Sequence, residues 1–154
     1  MRVTIAAAGK LKAGPQAELI AKYQKQLPWK LTIKEIPAGG AHLSSAQRIE
    51  QESAALLKAV EDCRRLIACD SGGKHFSSED LAAQLQHWQE AGDQSVAFLI
   101  GGADGLSEEV LRKADATLAF GRATWPHMLA RVMLCEQVYR AWSITSGHPY
   151  HSGH

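Results

Sequence analysis

The run Ser95–Ile100, SVAFLI, constrains this chain more than any other stretch. It is apolar on both faces and stops at Gly101-Gly102. A strand of an antiparallel sheet usually leaves one face wet and so alternates polar with apolar residues. A strand apolar on both sides belongs inside a sheet covered twice, and that is the habit of parallel sheets. The rest of the chain agrees. Arg2–Ala8, Leu31–Ile36, Leu66–Cys69 and Ala116–Phe120 also read as strands. Between them lie helical patterns. Ala13–Gln26 carries Leu19, Ile20 and Tyr23. A helix opened by Ser44 with Gln47, a capping-box spacing, runs to about Glu61 with Ile49, Leu56, Leu57 and Val60 inward. Ser77 or Ser78 caps a helix bearing Leu81, Leu85 and Trp88, and Ser107 caps another that has Glu108 and Glu109 in its favourable first turn. Pro126 opens the last, with Met128, Val132, Cys135, Tyr139 and Trp142 at spacings of four and three. The expectation is a single-domain α/β fold over residues 1–154: a mostly parallel sheet with helices on both faces.

Length and composition allow this. A chain of 154 residues with 45% hydrophobic side chains can bury a core of its own. No apolar run reaches membrane-spanning length and no signal peptide is evident, so the expected location is cytoplasmic. Cys63, Cys69 and Cys135 stand in apolar contexts without CxxC pairing and read as reduced thiols; no metal site is expected. The net charge of +1 hides an asymmetry. Residues 1–34 hold Arg2, Lys10, Lys12, Lys22, Lys25, Lys30 and Lys34 against Glu18 alone, whereas the remainder is acidic. One end could face a polyanion; a solvated lysine-rich helix face explains the same residues.

Ligands of open α/β sheets bind at the carboxyl ends of strands. Three such ends here are rich in Gly or polar residues: Cys69–Gly73, Gly101–Gly105 and Gly121–Pro126. None is a dinucleotide fingerprint or a phosphate loop. Either the glycines let a nucleotide-like ligand approach the backbone, or they only turn the chain. The C-terminal stretch RAWSITSGHPYH adds proton carriers and hydrogen-bonding groups: Arg140, His148, Tyr150 and His151. It could close over a site or fray in solvent, and Tyr139, Trp142 and Ile144 favour its being tied down.

In these motifs the chain resembles the ribosomal RNA large subunit methyltransferase H family. The resemblance rests on VTIAAAGK, EIPAG, the Asp70 loop with its following helix, LIGGADGLSEEV, TWPH with the helix ARVMLCEQVYRAWSI, and the HPYH tail, in that order. It implies a SPOUT-class methyltransferase with a C-terminal trefoil knot, a feature general topology rules argue against. It implies S-adenosylmethionine as cofactor, a homodimer, and methylation of N3 of a pseudouridine in 23S rRNA within the ribosome. Carried over by position, the cofactor contacts would be Cys69, Gly102, Gly121, Arg122, Ala123, Thr124, Trp125 and Pro126. Arg140, His148, Tyr150 and His151 would serve catalysis. Two departures stand out. Cys69 replaces a frequent leucine, and Ala103-Asp104 replaces the usual Pro-Glu. Ser152-Gly153-His154 carries no assigned role. The rivals are a non-catalytic RNA- or nucleotide-binding module, a metal protein using His148, His151 and His154, and a methyltransferase of the same class with another acceptor.

Overall fold

A computed structural model describes residues 1–152. Its strands are β1 (Arg2–Ala8), β2 (Lys30–Ile36), β3 (Arg65–Lys74), β4 (Ser95–Ile100) and β5 (Ala116–Leu118). They form one sheet of order β2-β1-β4-β3-β5, and every pairing is parallel. The helices are α1 (Pro15–Gln26), α2 (Ser45–Ala59), α3 (Ser78–Glu90), α4 (Glu108–Lys113) and α5 (His127–Ser146). β4 lies mid-sheet and is buried at all six positions, as SVAFLI requires.

The two faces differ in side-chain size. One presents Val3, Ile5, Leu31, Ile67, Val96 and Phe98 to α1, α3 and α5. The other presents Ala6, Ala8, Ala68, Ala97 and Leu99 to α2 and α4. Steps β1→β2 and β3→β4 go one way across the sheet with helices on the first face. Steps β2→β3 and β4→β5 go the other way with helices on the second. All four crossovers therefore share one hand, as right-twisted strands require.

The caps form as the sequence suggests. Ser44 accepts from the Gln47 N–H while Gln47 reaches back, and Ser77 and Asp80 do the same for α3. Ser107 accepts from the Val110 N–H. Several expectations fail. β3 does not break at Asp70–Gly73 but runs to Lys74, with a register shift against β5 between Cys69 and Lys74. Gly73 makes this possible, because a Cβ there would stand 2.7 Å from the Thr117 backbone. β5 ends at Leu118 and α2 at Ala59, both earlier than expected. Ile49 and Leu57 are only half-buried, while Glu52 and Ser53 take the inner face of α2. Leu19 is exposed, so α1 rests on Ile20. On α5, Met128 and Trp142 are half-buried, and the largest fully buried side chain is Arg131.

Arg131 is held by Glu35 at 2.6 Å and by the Gly9 carbonyl at 3.1 Å. The Leu11 N–H also donates to Glu35, at 2.6 Å. The start of α5 is thus fastened to the ends of β1 and β2.

Candidate functional site

Because β4, β3 and β5 are adjacent and parallel, the loops leaving them emerge side by side. They enclose a cleft of about 410 Å³. Cys69, Asp70 and Ser71 come from β3; Gly101–Gly105 follow β4; Leu118–Gly121 and Ala123–Trp125 follow β5. His127 and Ala130 of α5 close one side. Of the expected cofactor residues, Cys69, Gly102, Gly121, Ala123, Thr124 and Trp125 line this cleft. Arg122 and Pro126 are not among its lining residues. Arg122 is exposed, and Pro126 is the N-cap of α5. Asp70 and Ser71 fall in the Cys69–Gly73 strand end expected to meet a ligand, although neither is among the cofactor contacts the resemblance implies; His127, which follows the Gly121–Pro126 loop, is an additional lining residue.

The cleft is walled by backbone, by apolar groups and by the polar side chains of Asp70, Ser71, Asp104, Thr124 and His127. Gly102 and Gly105 form an antiparallel bridge, closed by Gly105 N–H donating to the Gly102 carbonyl at 3.1 Å. A Cβ on Gly101 would lie 2.7 Å from the Gly105 backbone, so the turn needs glycine there. Trp125 donates its indole N–H to the Phe120 carbonyl at 2.9 Å, which fixes the ring at the rim. Burial, and then the neighbouring Asp70, push the Cys69 thiol up to about 12. It is therefore a neutral wall group, and its replacement of leucine keeps the wall apolar.

One side chain of α2 is bonded to the Gly101–Gly105 loop and a second packs against it. Arg48 donates to Asp104 at 2.7 Å and to the Leu43 carbonyl at 2.5 Å. This contact holds the Asp104 carboxyl below its ordinary range. Glu52, 4% exposed, accepts from the Gly39 N–H at 2.7 Å. Its other carboxylate oxygen would lie 2.8 Å from a Cβ on Gly102. The shorter carboxylate arm at Asp104 therefore still reaches its cation.

The C-terminal tail is ordered against α5. Arg140 donates to Glu136 through Nε at 2.9 Å and Nη2 at 2.6 Å, and stacks over Tyr150 with its central carbon 4.8 Å from the ring centroid. Its Nη1 lies 3.1 Å from His151 Nδ1. The Tyr150 hydroxyl donates to Glu136 at 3.0 Å, and His151 Nε2 lies 2.8 Å from Glu79 at the start of α3. The Tyr150 ring sits edge-on to Tyr139 at 4.7 Å, and the exposed His148 lies 5.1 Å from Trp142. Burial, then hydrogen bonds with Tyr23 and Glu136, raise the Tyr150 pKa. The four expected residues are thus brought together. Their hub, Glu136, was missed, although its i,i+4 spacing to Arg140 on one helix was a readable signal. The tail lies beside the cleft. Between them is a groove of about 560 Å³ that Tyr23, Met133, Glu136 and Gln137 help to line, and it shares Leu118–Gly121 with the cleft.

A family described as "Predicted SPOUT methyltransferase" matches residues 1–151. Proteins named "Ribosomal RNA large subunit methyltransferase H" align end to end. The one from Rhodospirillum centenum is 46% identical, with 98% of this chain and 99% of the relative covered. The one from Paramagnetospirillum magneticum is 44% identical with the same coverage. The chain belongs to the ribosomal RNA large subunit methyltransferase H family, within the SPOUT class. Solved structures agree on the fold. A probable methylase family protein from Haemophilus influenzae has a TM-score of 0.61 at 14% identity, covering 96% of this chain and 69% of that one. A probable methyltransferase from Bordetella pertussis has a TM-score of 0.59 at 13% identity, covering 91% and 95%. Membership in a methyltransferase family removes the non-catalytic module as the leading rival. Among the described residues no three His, Cys, Asp or Glu side chains are grouped to hold a metal, and no helix is long and apolar enough to cross a membrane. The rival metal reading also used His154, which lies outside the described residues.

Proposed function

We propose that this chain, as a cytoplasmic homodimer, transfers methyl from S-adenosylmethionine to N3 of a pseudouridine in 23S rRNA on the assembled ribosome. One observation carries the reading most. The loops that the family resemblance marks for cofactor converge on a single cleft in a chain that matches rRNA methyltransferases along its whole length. The cleft fits the cofactor's chemistry. Ile100, Leu118, Phe120 and Trp125 offer apolar contact for an adenine, Gly101 and Gly102 allow close backbone approach, and Asp70 supplies a carboxylate that would suit a positively charged ligand.

S-adenosylmethionine supplies a methyl group on a positively charged sulfur, ready for in-line displacement. The protein's tasks are to orient the base and to accept the N3 proton. Removing that proton spreads negative charge onto the two flanking carbonyl oxygens, and a guanidinium stabilises it. Arg140 is the cation for this, held in orientation by Glu136. Tyr150, with its pKa raised, acts as a neutral hydrogen-bond donor and stacking surface rather than as a base. Both His151 ring nitrogens are engaged, by Arg140 and Glu79. His148 accepts one backbone N–H, from Tyr150 at 3.2 Å, and is the proton acceptor most cheaply freed.

A second protomer is favoured because the tail of one protomer lies against α5 and α3 and leaves its own cleft open. Exposed Leu19 on α1 and Leu129 on α5 offer apolar contact for it. The threading of a trefoil knot by the loops after β3, β4 and β5 belongs to the same proposal. Mass spectrometry of 23S rRNA fragments from cells with and without the protein tests the whole reading. Loss of one methylpseudouridine is expected, and loss of a methyl from another nucleotide would favour the remaining rival within the class.

A further inference from the structure

Of the seven basic residues in positions 1–34, Arg2 and Lys34 are ion-paired with Asp62, at 3.9 and 4.0 Å. Lys10, Lys12, Lys22, Lys25 and Lys30 are exposed and, among the described residues, make no ion pair. Of these five, only Lys10 and Lys12 lie in the turn between β1 and α1, and in a parallel sheet that turn lies at the same end as the cleft-forming loops.

The turn is held at the cleft wall. Its first residue, Gly9, packs beside His127, a cleft residue, and a Cβ at Gly9 would be 3.9 Å from that ring. Arg131, one helical turn past His127, binds the Gly9 carbonyl, and Glu35 ties Arg131 to the Leu11 N–H between the two lysines. The Glu35 carboxylate, bonded to the backbone of this turn, is thus paired with a buried arginine. Exposed Arg122 is flanked in sequence by cleft residues Gly121 and Ala123 and is likewise without an ion pair among the described residues. Lys10, Lys12 and Arg122 thus stand at the end of the sheet where the cleft forms, and Asp70 is among the residues that line it.

We propose that Lys10, Lys12 and Arg122 form a rim that takes the RNA phosphates flanking the methylated nucleotide, and that Arg131 and Glu35 position the lysine turn for this contact. The inference rests on the RNA substrate proposed above. Phosphate contacts orient a nucleic acid without reading its bases, and each releases counterions. The rim therefore governs encounter and register. The tail governs chemistry.

The test compares wild type with the K10E/K12E variant and, as a control, K22E/K25E on α1. Calorimetry with S-adenosylhomocysteine, sedimentation with ribosomes, and methylation across a salt series are measured on each. For K10E/K12E, unchanged cofactor affinity is expected, with kcat/KM lower by about tenfold or more at moderate salt and little change in single-turnover rate at saturating ribosomes. The log–log salt dependence should become shallower by roughly one unit per lysine. The control should change far less. Wild-type salt dependence and kcat/KM in K10E/K12E would overturn the rim, and so would an equal effect in the control or a loss of cofactor affinity. If wild type binds ribosomes in a rim-dependent way but transfers no methyl, the functional reading fails and the rim stands.

Discussion

The cleft and the tail solve different problems with different materials. The cleft is shaped by glycine-rich main chain from three adjacent strand ends, with apolar and polar side chains both lining it. Its glycines are fixed by close approaches such as Gly101 to Gly105. Ala103-Asp104 departs from the family's usual Pro-Glu, yet Asp104 still bonds Arg48 at 2.7 Å. The tail is made of side chains that hold one another: Glu136, Arg140, Tyr150, His151 and Glu79 form one connected network. Such networks lose more than the sum of their pairs when one member goes. The cleft should therefore survive damage to the tail, while the tail's chemistry should be sensitive to each of its groups.

Deleting residues from His148 onward is the most severe test of that separation. Cofactor affinity should stay close to wild type, because none of the described residues among those deleted, His148–Ser152, lines the cleft. Methyl transfer should fall to background. The cut uncovers Tyr139 and Trp142, each losing an aromatic neighbour worth about 1 kcal/mol, so a lowered melting temperature is expected as well. Full methylation of ribosomes by the truncated protein would refute a catalytic tail.

Arg140→Ala cuts the network at one point. If Arg140 stabilises the developing anion, the single-turnover rate should drop by roughly 10²–10³ with cofactor affinity unchanged. If it only grips a phosphate, the rate at saturating ribosomes survives and the apparent affinity falls.

Gly102→Val strikes the cleft instead. A side chain there meets the Glu52 carboxylate at 2.8 Å, so both the cofactor loop and the buried carboxylate behind it are displaced. An affinity loss of about tenfold or more for S-adenosylhomocysteine is expected, equivalent to about 1.4 kcal/mol. Calorimetry reads it, and a thermal melt separates the cost to the fold. Wild-type affinity would show that Gly102 does not shape the cofactor site.

The same contrast explains what could be read in the sequence. Strand-helix alternation, three serine caps and the glycine-rich strand ends are local features, and they place both the sheet and the cleft. The continuation of β3 through Asp70–Gly73 was hidden because its pairing depends on Gly73 lying against Thr117, a contact between distant residues. Buried Arg131 was hidden for a similar reason. A guanidinium is expected at the surface until its partners Glu35 and Gly9, more than ninety residues away, are known. The tail residues were recognisable by type, but the hub Glu136 gave only the weak signal of helical spacing. Positions held by local chain geometry are legible; positions held by a partner far along the chain are not.

The smallest effect expected is the acid response of the cleft brace. Hydrogen bonding from Arg48 lowers the Asp104 pKa in the folded state, so the unfolded chain binds the proton at a higher pH than the folded one does. The contribution of the pair is complete above the ordinary carboxylate range and is lost as pH falls through the lowered folded value. Wild type should thus keep its cofactor affinity from neutral pH into mildly acidic buffer and lose it only below the range where free carboxylates titrate. In Arg48→Met the Asp104 carboxyl returns toward its ordinary value, and the decline should begin at higher pH. The difference should be a few-fold at most, since partly exposed ion pairs contribute little. It is read as S-adenosylhomocysteine affinity against pH for the two proteins. Superimposable profiles would show that the Gly101–Gly105 loop does not depend on Asp104.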